Sequence, residues 1–391
     1  MEIVSSSPME NAPVARITPL RIAHVVDSME MGGAEKLTAT LCRLQRARGH
    51  TPSVHCLFLV GVLGEELRAE GFEVVLHHHG SFFGLMRSLY RAFTRSIPDV
   101  VHCHNATAAI MAAIPARLAG VRSVLVTRHG LVRPPYQIRR ELKFALASRW
   151  CDWIVGVCEG TRINLQAAPF AARDKIIHIY NGAAPADIRA VPWPKRGFTL
   201  LHVGRLAPPK DHATLLHAVA LTRRRHPKVQ LWMVGDGPLG TSLRKLSEEL
   251  GLNQCVTFFG EQADVSPFML AADLFVISSV TEGLPVSLLE AMSAGLPAVV
   301  TDVGGLSEIA RLSGAVTLVP SSDPAAMAAA LCGAIAKEQE LSGMGQLASD
   351  CYKKYFRPER MLDEYMNLYK GSVSFTRHST LPGTPRPLSL S

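Results

Sequence analysis

The chain has 391 residues, is 48% hydrophobic and 19% charged, and carries a formal net charge of +8. That length exceeds one ordinary core and suits two domains with tails, while the apolar content excludes an intrinsically disordered chain. No run approaches the roughly 18–20 apolar residues of a membrane span; the longest, Ala325 to Ala336, is mostly Ala and reads as a packed helix.

From the start, Met1 to Pro19 is polar and acid-containing, without the basic start and apolar stretch of a signal peptide, so residues 1–18 are expected to be a disordered lead. Arg21 to Asp27 reads as a short strand. Ser28 to Glu35 then forms a loop into a helix that runs to about Gly49, and Gly32-Gly33 lets backbone N–H groups approach an anion. Further strands are expected at Ser53–Leu59, Glu73–His77, Asp99–His104, Arg122–Thr127 and Trp153–Val157, with helices between most of them. His77-His-His79 reads as a solvated strand end.

Between Ser81 and Trp150 eleven Arg and Lys residues face only two acids, an excess that points to an anionic partner such as a phosphorylated substrate or a membrane surface. Phe82 to Arg95 is an expected helix with Arg87, Arg91 and Arg95 along one face, and Phe83, Met86, Tyr90 and Phe93 on an apolar face. Such a helix could dock on an anionic bilayer, or simply pack its apolar face on a sheet. His102 and His104 share one face of a strand and Cys103 takes the other. A third well-spaced ligand is lacking, so core histidines and no metal site are expected. His129 follows a strand and precedes Gly130, which makes it the better functional candidate. The eight cysteines are scattered, with no C-x-x-C pair, and are expected to be buried reduced thiols of a cytosolic protein.

Val191-Pro-Trp-Pro-Lys-Arg196 suits neither helix nor strand and serves as the linker. The second domain restarts with Phe198–Gly204, followed by strands at Val229–Val234, Val256–Phe259, Leu274–Ile277, Ala298–Val300 and Val316–Val319. Arg205 and Lys210 sit in the loop after its first strand, a fork and a point charge suited to phosphate oxygens. Val234-Gly-Asp-Gly-Pro238 is a generic turn, and Val303-Gly-Gly305 adds backbone freedom near the same edge. Glu282 and Glu290 flank a Gly and a Pro, with Pro285 expected at the first turn of a helix. That puts Glu282 in a strand-to-helix loop, where open α/β sheets bind ligands and a helix N-terminus favours phosphate. Taken alone, the spacing suits an amphipathic helix with two solvated glutamates equally well. A final amphipathic helix, Arg357 to Tyr369, follows the second sheet, and the tail from Gly371 is expected to be disordered.

Gly32-Gly-Ala-Glu35, Pro98 to His104, Asn181-Gly182, Gly204-Arg-Leu with Lys210-Asp211, Gly235-Asp-Gly-Pro238, Glu282 to Glu290 and Asp302-Val-Gly-Gly305 occur in this order. The set resembles a retaining glycosyltransferase of family 4 and covers roughly residues 19 to 370. The resemblance implies an α/β GT-B fold: two Rossmann-like doubly wound parallel-sheet domains facing a cleft. The first would span 19–190, completed by a crossing helix at 352–370; the second would span 191–351, with 371–391 as the tail. It also implies roles. Arg205 and Lys210 would hold the donor diphosphate, Glu290 the ribose hydroxyls, and Glu282 would lie near the transferred sugar. Backbone at Gly283 and Leu284 would read the sugar, Gly33 would approach the phosphates from across the cleft, and His129 would contact the donor sugar.

The expected activity is transfer of a hexosyl unit from a UDP- or GDP-sugar to a carbohydrate or lipid-linked acceptor in polysaccharide or glycolipid assembly. No metal or other cofactor is expected, since no Asp-x-Asp pair occurs to organise a divalent cation, and no nucleic-acid partner is expected. The expected location is cytoplasmic, with a peripheral position on the anionic inner face of the membrane left open. A nucleotide-sugar epimerase on the same scaffold, or a non-catalytic nucleotide-sugar-binding protein, would share most of these features.

Overall fold

A computed structural model of the protein describes residues 18–77, 80–132, 138–168 and 172–371. The expected lead and tail lie outside the described residues, apart from residue 18 and Gly371.

The first half alternates strand and helix: β1 (Arg21–Ser28), α1 (Gly33–Ala47), β2 (Thr51–Leu59), α2 (Gly61–Ala69), β3 (Glu73–Leu76), α3 (Phe82–Ser96), β4 (Val100–His104), α4 (Asn105–Leu118), β5 (Ser123–Arg128), α5 (Ile138–Ser148), β6 (Trp153–Gly156), α6 (Glu159–Ala167) and β7 (Ile176–His178). The seven strands form one parallel sheet in the order β3-β2-β1-β4-β5-β6-β7. β7 escaped the sequence reading because three residues are too few for any periodicity to register.

The second half repeats the plan: β8 (Thr199–Val203), α7 (His212–Arg223), β9 (Gln230–Val234), α8 (Gly240–Glu249), β10 (Val256–Gly260), α9 (Ser266–Ala271), β11 (Leu274–Ile277), α10 (Val286–Ser293), β12 (Ala298–Thr301), α11 (Gly305–Ser313), β13 (Val316–Val319), α12 (Pro324–Ala336), α13 (Leu341–Tyr355) and α14 (Pro358–Tyr369). Its six parallel strands run β10-β9-β8-β11-β12-β13. Both sheets therefore reverse direction beside their first strand, at β1/β4 and β8/β11. Such switch points open a crevice at the carboxyl ends of the strands.

The central strands are buried on both faces, which is why they read as unbroken apolar runs: Leu274-Phe-Val-Ile277 and Ala298-Val-Val-Thr301 are wholly buried. α14 crosses back onto the first sheet. Its Met361, Leu362, Tyr365, Met366, Leu368 and Tyr369 are buried in one apolar cluster with Ile22, Leu37, Leu41, Val100 and Leu125. Each such side chain stabilises by about 1.5–3 kcal/mol relative to exposure, before the entropy of ordering it is subtracted. Gly182 permits the crossing, because a Cβ there would stand 2.5 Å from the Pro358 Cα.

Two sequence expectations change here. His77 is not a solvated strand end: it is buried and hydrogen-bonds to His55 (2.8 Å) and Ser88 (2.9 Å), while residues 78 and 79 lie outside the described residues. On α3 the buried stripe is Leu85, Leu89 and Phe93, whereas Phe83 is 80% exposed and Tyr90 is exposed beside the arginines. The expected apolar face was one register off, since Phe83 and Tyr90 fall outside the Leu85-Leu89-Phe93 row at helical spacing.

Candidate active site

The two carboxyl edges face each other across a cavity of about 1540 Å³, lined from both sheets. Gly33, His129, Arg205, Lys210, Glu282, Gly283, Leu284 and Glu290 all line it.

The β8 loop carries the cations. Arg205 is exposed to the cavity, and Lys210 ends a one-turn 3-10 helix, Pro208–Lys210. Asp211 then turns the chain at φ 46° and caps α7 through Thr214, a conformation that Asp tolerates better than most residues. The neighbouring β9 loop fixes this path. Gly235 and Gly237 have φ of 131° and 157°; a Cβ at Gly235 would collide with the Gly204 carbonyl, and one at Gly237 would stand 2.6 Å from the Leu206 oxygen. Leu206 N–H in turn donates to the Asp236 carbonyl at 2.9 Å. The Gly-Asp-Gly turn is therefore a form that holds Arg205, a role that its sequence alone does not reveal.

Lys210 is not a free cation. Its Nζ lies 2.6 Å from Glu282 Oε1, which also accepts from Ser279 Oγ at 2.6 Å. Glu282 is only 9% exposed, so the pair is shielded from solvent and each charge depends on the other. The sequence reading had both cations available to a diphosphate. In this state Lys210 is committed to Glu282, leaving Arg205 the less constrained of the two.

Glycines also set the loop between β11 and α10. A Cβ at Gly283 would strike the His129 carbonyl of the first sheet, and Gly304 and Gly305 pack under the carbonyls of Glu282 and Gly283. Gly305 N–H donates to the Gly283 carbonyl at 2.8 Å. Asn181 Nδ2 donates to the Leu284 carbonyl at 2.9 Å. Pro285 precedes the helix as its cap, with φ −70° and ψ 124°, one position earlier than expected. The N-terminal N–H groups of α10 and α1 then meet across the cavity, with Gly33 against Val286: a Cβ on Gly33 would sit 3.5 Å from the Val286 methyl. Two helix N-termini facing one space favour an anion between them.

Charge crosses the gap in both directions. Burial raises the Glu290 carboxyl above its usual range while Lys36 of α1 pulls it back down. Burial likewise raises Glu35, opposed in part by Arg205 of the other sheet. Lys36 was not singled out from the sequence, although its place directly after Gly32-Gly-Ala-Glu35 was the available signal.

Behind His129 lies a group that the sequence reading denied. His24 on β1 stands level with His102 on β4, and the ring nitrogens of His24, His102 and His104 come within 4.8 Å of one another. The third histidine exists; it was invisible because strand pairing, not sequence spacing, delivers it. All six nitrogens nevertheless have partners. His24 Nδ1 bonds His104 Nε2 (3.0 Å) and His24 Nε2 bonds Gln45 Oε1 (2.9 Å). His104 Nδ1 bonds His129 Nε2 (3.2 Å), while His102 bonds the Tyr369 hydroxyl (2.7 Å) and Thr127 Oγ1 (2.8 Å). The cluster forms one hydrogen-bonded network of buried rings. Burial holds the histidines neutral, lowering His24 and His129 to about 4 and His102 and His104 well below 6.5.

Two parallel Rossmann-like sheets with their carboxyl edges opposed and a charged cavity between them define a GT-B protein. The family model for Glycosyltransferase Family 4 matches residues 31–187, and that for Glycosyl transferases group 1 matches residues 197–337. The chain belongs to the group 1 glycosyltransferases and is a transferase. It is 28% identical over 240 residues to the UDP-Gal:alpha-D-GlcNAc-diphosphoundecaprenol alpha-1,3-galactosyltransferase of Escherichia coli, covering 56% of this chain. It is 32% identical over 169 residues to the lipopolysaccharide core biosynthesis glycosyltransferase LpsE of Rhizobium meliloti, covering 43% of this chain. The chain spans 61% and 48% of the length of those two relatives. Among solved structures it resembles Anabaena Alr3699/HepE in complex with UDP and glucose (TM-score 0.78, 20% identity), covering 90% of this chain and 100% of that one. It also resembles WaaG, a glycosyltransferase involved in lipopolysaccharide biosynthesis (TM-score 0.70, 18% identity), covering 88% of this chain and 99% of that one.

Proposed function

We propose that this transferase moves a hexosyl unit from a nucleoside-diphosphate sugar, UDP-linked in the first instance, to an acceptor hydroxyl with retention of anomeric configuration. One observation carries the reading: Arg205 and the Lys210–Glu282 pair share one cavity with the N-termini of α10 and α1, the Glu35 carboxylate lying against the first turn of α1. That arrangement suits a diphosphate. Arg205 and Lys210 would neutralise its charge as the bond from the anomeric carbon to the phosphate oxygen breaks, with no metal required. The α1 amides at Gly33 would approach it from the other side. Glu290, raised by burial and offset by Lys36, would accept hydrogen bonds from ribose hydroxyls. Glu282, the backbone of Gly283 and Leu284, and His129 would surround the sugar. The acceptor oxygen would bond the anomeric carbon from the departing diphosphate's own side and yield its proton to that diphosphate.

The acceptor reading is a lipid-linked saccharide in polysaccharide or glycolipid assembly. Leu59, Val62 and Leu76 are exposed on the first-sheet rim of the cavity, with Phe82 and Phe83 exposed at the start of α3. An apolar rim beside exposed Arg87, Arg91 and Arg95 suits an amphiphile whose headgroup is anionic. The similarity to a galactosyltransferase named for a diphosphoundecaprenol acceptor supports the same reading.

The test is a thermal-shift panel of UDP, GDP, UDP-glucose, UDP-galactose and GDP-mannose on the full chain and on Glu290→Ala. Expected is a rise of several degrees with the uridine compounds, lost in Glu290→Ala, since a ligand that binds only the folded state raises Tm by mass action. No shift with any nucleotide at millimolar concentration would remove the donor reading.

A further inference from the structure

We infer that Gln45, a buried residue near the C-terminal end of α1 and outside the cavity lining, fixes which ring nitrogen of His129 carries hydrogen. Through that choice it shapes how the site reads the donor sugar. The inference rests on the donor reading above for its sugar half only.

A line of hydrogen bonds runs from Gln45 through His24 and His104 to His129, and its Gln45 end also meets Tyr369. Gln45 is oriented with Oε1 toward His24 Nε2 at 2.9 Å and its own Nε2 buried without a hydrogen-bond partner; in that orientation the oxygen accepts, so the hydrogen of the bond belongs to His24 Nε2. A neutral imidazole has one N–H, which leaves His24 Nδ1 as an acceptor. His104 Nε2–H therefore donates to it at 3.0 Å, and His104 Nδ1 becomes the acceptor. His129 Nε2–H then donates to His104 Nδ1 at 3.2 Å. His129 Nδ1 is left with a lone pair: the atom itself is buried without a hydrogen-bond partner, while the residue as a whole borders the cavity. Buried polar atoms without partners are rare enough to need an explanation, and a ligand hydroxyl supplies one.

The rest of His129 is held still. Its N–H donates to Asn105 Oδ1 at 3.1 Å, with Asn105 in the left-handed region at φ 69°. Its carbonyl is packed against Gly283 of the second sheet. With the ring anchored at Nε2 and the backbone at both ends, only the location of the proton is adjustable, and the far end of the line decides it. If the Gln45 end offered a donor or nothing, every proton could move across its bond and the hydrogen of His129 would sit on Nδ1 instead. Gln45 is thus a positioning residue: it touches no ligand and acts through two intervening rings.

The experiment uses full-length protein labelled with ¹⁵N-histidine. Ring-nitrogen shifts report each tautomer, and calorimetric titrations with UDP and UDP-glucose report binding. In the wild type, His129 is expected as the Nε2–H tautomer. In Gln45→Met the apolar end no longer accepts, so His129 gains Nδ1–H population. UDP-glucose affinity then falls about tenfold while UDP affinity is unchanged, the scale of one neutral hydrogen bond. Gln45→Glu keeps an acceptor at the same place, so it restores the Nε2–H tautomer and most of the UDP-glucose affinity. It also serves as the folded control should the Met variant unfold. Nδ1–H on wild-type His129, an unchanged tautomer in Gln45→Met, or an equal loss for UDP and UDP-glucose overturns the inference. Wild-type protein that binds neither nucleotide overturns the donor reading and with it the sugar half; the tautomer measurement still decides the lock.

Discussion

Lys210 and Arg205 sit five positions apart on one loop, yet their surroundings give them opposite liabilities. Lys210 balances Glu282, whose carboxylate is 9% exposed, while Arg205 stands in the open cavity. Lys210→Ala would strand the directly paired, buried Glu282, whereas Arg205→Ala would remove only part of what offsets the burial of Glu35. The expected cost in unfolding free energy is about 1–3 kcal/mol for Lys210→Ala, discounted from fully buried pairs because Lys210 is partly exposed. For Arg205→Ala it is within about 0.5 kcal/mol. Both should weaken UDP binding. Urea titrations of the two variants check the contrast; equal stability losses would mean that the ion pair does not hold the loop. Either cation could be suspected from the sequence as a phosphate ligand, because Arg and Lys after a buried strand are a local signal. Their difference could not, because Glu282 reaches Lys210 only when β8 and β11 pair.

At the scale of elements, the strands of the first sheet carry histidines where ordinary sheets carry aliphatics, and burial keeps them neutral. The sign of the resulting pH dependence follows from linkage. In the unfolded chain each histidine takes up a proton near 6.5; in the fold His24 and His129 wait until about 4 and His55 until about 3. The unfolded state therefore binds more protons between those limits. Stability is full above about 6.5 and is lost as pH falls toward 4, by up to about 1.4 kcal/mol per pH unit for each group. His202 on β8, lowered to about 4, adds to the same trend. Tm measured from pH 7.5 to 4.5 should fall steeply below 6.5. A flat profile down to pH 5 would mean that the rings accept protons inside the fold. Strands and helices themselves were largely legible, since buried parallel strands read as apolar runs. The histidine line was not. Its members lie 80, 21 and 25 positions apart, and only the pairing of β1, β4 and β5 with α1 above them makes one object of them. Gly235 and Gly237 were legible as a turn but not as the mould of the Arg205 loop, whose carbonyls they accommodate from a different strand.

For the molecule as a whole, the positive charge and the exposed apolar side chains concentrate on the first half, around α3 and the ends of β2 and β3. No helix among the described residues is long and apolar enough to cross a membrane. Sedimentation with vesicles containing phosphatidylglycerol at low salt should carry the protein down, and 0.5 M salt or reversal of Arg87 and Arg91 to Glu should release it. Protein left in the supernatant with anionic vesicles at low salt would end the membrane-proximal part of the acceptor reading.

The return of α14 gives the first sheet an unusual timetable. Tyr365 and Tyr369 supply hydroxyls to Thr127 and His102, positions made 238 and 267 residues earlier. A ribosome working from the N-terminus therefore releases the first sheet with one flank of its histidine-bearing face unsealed. That face stays open through translation of the entire second sheet. The half of the protein that is made first is the last to be closed.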